Sequence, residues 1–211
     1  MSGAIRTAED LLGRWNVSRE TADRLAVLHD LVLKWNPRVN LIGRADAANI
    51  WQRHIADSAQ LWRLVPGEAW HWADMGSGAG FPGLVIAAIA ADVRPGLRVT
   101  LVESDGRKAV FLSQAARNMG LSVDVRDVRI EALEPLEADV LSARALAPLE
   151  TLLGHVEKHR RASGIGLFPK GRGVHKEIEA AGARWRFDHR LHSSATDPEA
   201  AIVEVGALSR V

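Results

Sequence analysis

Apolar positions follow two regimes along the chain, and the change comes at Pro66-Gly67. Before it the spacing is helical. Leu25, Leu28, Leu31, Val32 and Trp35 recur on one helix face behind Ser18, whose hydroxyl suits an N-cap, and Asn36-Pro37 is where that helix is predicted to end. A second helical stretch is predicted over about 47–64, with Ile50, His54, Ile55, Ser58, Leu61 and Trp62 on one side. After Pro66-Gly67, short and partly β-branched runs at 69–75, 99–102, 123–125, 140–141 and 165–168 read as strands. Helical segments at 82–91, 107–119, 146–159 and 173–181 separate most of them. Such alternation requires parallel strands with crossover helices, hence a three-layer α/β domain. Only a polar stretch at 192–198 lies between the apolar runs at 185–191 and 201–208, so these are predicted to pair as an antiparallel hairpin closing the sheet. The division expected is a helical extension over 1–66 packed on a main domain over 67–211.

The segment Asp74-Met75-Gly76-Ser77-Gly78-Ala79-Gly80-Phe81-Pro82-Gly83 brings in chemistry. Glycines at that density let the chain turn sharply and bring main-chain N–H groups against a ligand. Gly78, Gly80 and Gly83 fit G-x-G-x-x-G, and Glu103 follows at the end of the next strand, as a dinucleotide site would want. An adenosyl cofactor competes with NAD for this loop. Asp74 favours the former, because a carboxylate there would repel a pyrophosphate yet pair with the amino group or sulfonium of S-adenosylmethionine. In that reading Gly76, Gly78 and Gly80 approach the amino-acid end of the cofactor, and Glu103 accepts hydrogen bonds from its ribose. The helical block ahead of the first strand argues the same way, since a dinucleotide fold usually begins with that strand.

Other candidates lie at strand ends. Ile130 and Glu131, beyond Asp124 and Asp127, fall where an adenine edge would be read, though a solvated loop explains them equally well. Ser142 and Arg144 end the fourth strand beside the crevice of an open α/β sheet. A cation there needs a partner: a cofactor carboxylate, a substrate phosphate or an internal acid such as Asp57. His54 and Asp57 share a helix face and read as a polar anchor rather than a metal site. Phe168-Pro169-Lys170-Gly171-Arg172-Gly173 is a basic turn, able to hold phosphates or simply to be solvated. Trp35, Trp51, Trp62, Trp70 and Trp72 are expected to pack the helical block on the sheet.

The formal net charge is +1, so no polybasic coat defines the whole. Charge is nonetheless unevenly placed: 121–157 carries eight acids against three cations, and 158–190 nine cations against three acids. A basic C-terminal third fits a polyanion footprint or a solvated face. The absence of cysteine excludes disulfides, thiolate metal sites and cysteine nucleophiles. No apolar run approaches the roughly 18 residues of a membrane span, and the N-terminus lacks a signal core, so the expectation is a soluble, cytoplasmic chain without membrane contact.

With these residues assembled, the chain resembles the ribosomal small-subunit methyltransferase G family, also called glucose-inhibited division protein B. The motifs are Trp35-Asn36 with Asn40-Leu41, Arg53-His54-Ile55-Ala56-Asp57-Ser58, the glycine loop, Glu103 with Arg107-Lys108 and Phe111-Leu112, Arg129-Ile130-Glu131, and Ser142-Ala143-Arg144-Ala145. They run from about Leu33 to Gly171; Glu103-Ser104 stands where the family often has Asp-Ser. The resemblance implies a Rossmann-like S-adenosylmethionine-dependent methyltransferase fold and methylation of guanine N7 in 16S ribosomal RNA, free or in a small-subunit particle, with no obligate protein partner. It also implies cofactor contacts at Gly76, Phe81, Ile130, Glu131 and Arg144. Arg144 and Asp57 are the expected catalytic pair, Asp57 stabilising the cationic product base. Arg38, Arg44, Arg53, Lys170 and Arg172 are the expected RNA rim. The rivals are an NAD-dependent oxidoreductase, a small-molecule methyltransferase of the same fold, and a noncatalytic RNA-binding module.

Overall fold

The computed structural model describes residues 4–15 and 17–211. Two helices come first, α1 (Ala8–Trp15) and α2 (Arg19–Val39). Ser18 caps α2 as expected, accepting from the Thr21 N–H at 3.0 Å. The helix does not stop at Asn36-Pro37. Pro37 sits in its last turn, where the carbonyl it leaves without a donor is that of Leu33, an exposed residue that water can reach; Asn40, in the left-handed region at φ 53°, ends it instead.

The second helical stretch keeps its expected face but not a uniform helix. It is a 3₁₀ turn (Ala47–Asn49), a π-helical segment (Trp51–Ala56), a single α-turn α3 (Asp57–Ala59) and a further 3₁₀ turn (Gln60–Leu64). Ile50, His54, Ile55, Ser58 and Leu61 are all buried. Wide π turns are uncommon and concentrate at functional sites.

The rest alternates: β1 (His71–Met75), α4 (Gly83–Val93), β2 (Arg98–Glu103), α5 (Gly106–Asn118), β3 (Asp124–Asp127), β4 (Ala138–Ala143), α6 (Leu149–His159), β5 (Arg160–Lys170), α7 (Val174–Ala181), β6 (Trp185–Ser193) and β7 (Ala201–Arg210). One sheet results, in the order β3-β2-β1-β4-β5-β7-β6. The first five strands are parallel, and β7 runs antiparallel to both β5 and β6. The hairpin closes the sheet as expected, with its second strand inside and β6 at the edge. Strand order reverses between β1 and β4, so a crevice opens at their carboxyl ends.

Side chains alternate across the buried strands. Trp72, Leu101, Val140, Leu167 and Ile202 join a core with α2, α4, α5 and the irregular stretch, while Ala73, Val102, Leu141, Phe168 and Val203 face α6 and α7. The helical block is therefore a further layer over α4 and α5, sharing their core. Trp35 packs edge-on against Phe111, 5.7 Å between centroids, and Trp72 is fully buried. Trp70 departs from expectation: it is 68% exposed at the amino-terminal edge of β1, away from the block's core.

Candidate active site

The glycine loop leaves β1 at the switch point, and each glycine answers to a different neighbour. Gly76, Gly78 and Gly80 have φ of 65°, 54° and 85°, which side-chain-bearing residues rarely adopt. A Cβ on Gly83 would run into Leu101 and Asp74, so this glycine serves helix–strand packing. At Gly80 it would meet Leu84, and at Gly76 it would lie 2.6 Å from Leu146 Cδ1. Gly78 alone is open, with nothing nearer than the Gly76 carbonyl at 3.8 Å. The loop thus offers one bare stretch of main chain for a ligand to approach.

Asp74 is not part of that approach. Its side chain is fully buried; Oδ1 accepts from the Ser142 hydroxyl at 2.7 Å and Oδ2 from the Gly83 N–H at 3.1 Å. Ser142 in turn accepts from Trp72 Nε1 at 2.8 Å. The expected pairing with a ligand cation is corrected: β1 alternation turns Asp74 to the same face as Trp72, under the amino end of α4. Burial pushes its carboxyl up to about 6, against the opposing pull of these hydrogen bonds. Asp74 anchors the loop from below.

Glu103, by contrast, faces the loop. Its Oε2 accepts from the Gly78 N–H and its Oε1 from the Asp105 N–H, both at 2.9 Å. A carboxylate has about four acceptor sites, so two remain for a pair of vicinal hydroxyls. The Val128 N–H bonds the Glu103 carbonyl at 3.1 Å and draws the following segment alongside, where Ile130 is buried in the core on the α6 side of the sheet and Glu131 is exposed. Gly78 is thus bonded to Glu103, and Glu103 through its carbonyl to the segment that carries Ile130 and Glu131. The bare main chain at Gly78 and the free acceptor sites of Glu103 are groups that suit an adenosyl ribose.

Arg144 follows β4 and is gripped by the chain itself. Its guanidinium donates to His54 Nδ1 at 2.6 Å and to the Arg53 carbonyl at 3.1 Å, and stands 4.0 Å from Asp57 Oδ2. Of the partners expected for it, the internal acid is the one in place. His54 stacks on Phe81 with centroids 5.0 Å apart, and Arg144 lies over the same ring. Burial and the Arg144 charge lower His54 to about 4, so its imidazole is neutral and accepts. Phe81 as a whole is 3% exposed, so it offers little surface for the expected cofactor contact. The polar-anchor reading of His54 is the one this geometry supports.

A cleft of about 850 Å³ opens beside Arg144. It lies over the carboxyl ends of β4 and β5 rather than over the glycine loop, and Arg53, Asp57, Gln60, Leu146, Pro169 and Thr196 are among its walls. Leu146, 41% exposed, belongs to both places, resting on Gly76 and lining the cleft. Ala145 before it has φ 52°, a strained conformation of the sort that persists where surrounding structure enforces it.

The expected RNA rim divides. Arg38 and Arg44 are exposed and form no ion pair among the described residues. Arg53 pairs with Asp46 at 3.0 Å, and Arg172 with Glu199 at 2.6 Å, both arginines outward. Lys170 is corrected: its ammonium, 11% exposed, donates to the Ala147 carbonyl and to Glu177, and Glu177 also accepts from the Leu149 N–H. Too few of its protons face outward for a phosphate, because it closes the end of β5 onto α6 and α7.

Three residues of the site were missed from the sequence. Gln60 and Thr196 both hydrogen-bond Asp57 Oδ1, at 2.8 and 2.7 Å, and Gln60 Oε1 accepts from the Ala195 N–H. Gln52 Nε2 donates to the Thr196 carbonyl at 3.0 Å, so the β6–β7 connection docks on the helical block across the cleft. Gln60 falls next to the apolar face of its segment, a signal that could have marked it; Thr196 in a polar loop gives none.

Comparison with known proteins gives the family and the fold. A family model described as rRNA small subunit methyltransferase G matches residues 21–202. Ribosomal RNA small subunit methyltransferase G of Ruegeria pomeroyi is 47% identical over 93% of this chain and 96% of its own. The protein of that name from Cereibacter sphaeroides is 50% identical over 93% of this chain and 94% of its own. Among solved structures, a putative O-methyltransferase from Klebsiella pneumoniae aligns at TM-score 0.59 with 19% identity, covering 85% of this chain and 90% of that one. A SAM-dependent methyltransferase from Aquifex aeolicus aligns at 0.57 with 13% identity, over 78% and 95%. The likeness to these structures is one of fold, a Rossmann-like methyltransferase sheet. By sequence over nearly its whole length, the chain belongs to the rRNA small subunit methyltransferase G family.

Proposed function

We propose that this chain transfers a methyl group from S-adenosyl-L-methionine to N7 of a guanine in 16S ribosomal RNA, by in-line attack without a general base. The observation that carries the reading is the junction at Leu146, where the glycine loop meets a cleft large enough for a base. The family relatives are named for action on ribosomal RNA, and a ribosomal substrate, free or in a particle, supports a cytoplasmic location. Among the described residues no helix is long and apolar enough to cross a membrane.

The chain's own groups match the chemistry required. Gly78, Glu103, Ile130 and Glu131 would hold S-adenosylmethionine, which when bound supplies a methyl group on a sulfonium. Guanine N7 has a lone pair and no proton. With the cofactor bound, the N7 lone pair would take the methyl group and the S–CH₃ pair would stay on sulfur, so the positive charge would pass to the purine. No proton moves, and the one histidine beside the cleft, His54, has its Nδ1 occupied by Arg144. Catalysis then rests on alignment, for which effective molarity is the measure, and on charge placed where the cation develops. Asp57 supplies that charge.

Incubation with labelled S-adenosylmethionine and small-subunit RNA from cells lacking the activity, followed by mapping of the labelled nucleotide, tests the proposal. Label at N7 of one guanine is the expected result. Label on another atom, or transfer that proceeds without RNA, would favour the small-molecule reading, and NADH binding in place of S-adenosylmethionine the oxidoreductase one.

A further inference from the structure

Among the described residues, one oxygen of Asp57 accepts no hydrogen bond and meets only the distant Arg144 guanidinium. Oδ1 is fixed from two sides by Gln60 Nε2 and the Thr196 hydroxyl, whereas Oδ2 forms no hydrogen bond and looks along the cleft wall toward Arg144, 4.0 Å away. The two anchors come from distant parts of the chain, the helical block and the β6–β7 connection. Such clamping leaves the carboxylate little freedom to turn. The Asp57 side chain keeps 18% of its surface on the cleft, so this oxygen is open to a donor that enters there.

We propose that Asp57 Oδ2 reads the Watson–Crick edge of the target guanine by accepting its N1–H. This rests on the guanine N7 reading above and deepens it. The chemistry selects the base: guanine presents a donor at N1, adenine a lone pair that a carboxylate repels. A single free oxygen makes one good bond, so N1–H is read and the 2-amino group is left to solvent or other walls. The contact also serves the reaction. As N7 takes up the methyl group the purine becomes cationic, N1–H becomes more acidic, and its bond to the carboxylate strengthens between ground state and transition state. Gln60 and Thr196 act as positioning residues, since they touch Asp57 and not the base.

The experiment is methyl transfer to synthetic small-subunit RNA carrying guanine, inosine, 2-aminopurine or 7-deazaguanine at the mapped position, with wild type, Asp57→Asn and Thr196→Val. Wild type should accept inosine, which keeps N1–H, within about threefold of guanine, and should disfavour 2-aminopurine, which lacks it, by about 100-fold or more. Asp57→Asn should lower transfer to guanine by about 100-fold and narrow the guanine to 2-aminopurine ratio, because an amide can donate to a bare N1. Thr196→Val keeps the carboxylate and frees its anchor; it should lower kcat several-fold and narrow the same ratio partly, and it remains informative if Asp57→Asn folds poorly in a thermal melt. Wild-type transfer to 2-aminopurine within threefold of guanine would overturn the edge assignment, as would variants that slow both bases by one common factor. Transfer that survives 7-deaza substitution would instead overturn the N7 reading itself.

Discussion

Replacing Asp74 by asparagine should change how stability depends on pH more than it changes stability itself. Asp74 is fully buried and its carboxyl is raised to about 6 by burial. In the unfolded chain an aspartate titrates near 3.9. Between these values the folded protein holds a proton that the unfolded chain has released, so Asp74 contributes stability below pH 4 that is lost as pH rises through 6. A displacement of about two pH units corresponds to about 3 kcal/mol across that window. The Asp74→Asn side chain does not titrate and so has no such dependence. Its carbonyl can still accept from the Gly83 N–H, but its amide must donate toward Ser142 Oγ, which already accepts from Trp72, leaving the serine proton without a partner at about 1–3 kcal/mol. The variant should therefore be less stable than wild type at pH 4 by about that much, and should draw level or overtake it by pH 7. Urea unfolding of both proteins at half-unit steps from pH 4 to 7.5 measures the difference, in which every other titrating group cancels. A constant gap across that range would refute the buried-anchor account and return Asp74 to contact with solvent or ligand.

The remaining predictions separate packing from binding. Gly83→Ala should cost about 2–3 kcal/mol, since its methyl group meets Leu101 and Asp74, and should lower Tm by about 4–10 °C. Gly78→Ala, with open space and only its φ of 54° against it, should cost about 1 kcal/mol in the same melt yet weaken S-adenosylmethionine binding by calorimetry far more than Gly83→Ala does in its folded fraction. Lys170→Ala should destabilise by about 1–3 kcal/mol and leave the salt dependence of RNA binding unchanged, whereas Arg44→Ala should shift that slope by about one unit. Arg144→Lys should reduce methyl transfer by about 100-fold, because one ammonium cannot reproduce the fork that serves His54 and the Arg53 carbonyl; near-normal turnover with normal folding would reduce Arg144 to a bystander.

Most of the fold was legible because burial on both faces of a parallel sheet writes itself into short apolar runs. Trp72 and Ala73, or Leu167 and Phe168, belong to opposite cores, so both positions of each pair had to be apolar and the strands stood out. Two local features escaped. Pro37 is tolerated inside α2 by its position in the final turn, a fact of geometry that the residue type alone does not carry. The π-helical segment at Trp51–Ala56 preserves the buried face while changing its pitch, and periodicity reports the face.

The site was legible where chemistry sits on main chain and obscure where it depends on direction. The positive φ of Gly76, Gly78 and Gly80 suits glycine, and Glu103 ends the neighbouring strand, from which its carboxylate reaches Gly78. Asp74 and Lys170 failed the same kind of reasoning for a common cause. A charge at a strand end can point out to a ligand or back into the protein, and alternation along β1 decides for Asp74 while Glu177 decides for Lys170. Asp57 shows the converse. Its type and position suggested a role, but only the clamp of Gln60 and Thr196, residues far apart in sequence, leaves a single oxygen facing the cleft. Selectivity of the kind proposed for it follows from that remaining freedom, one acceptor held still, more than from the presence of an acid.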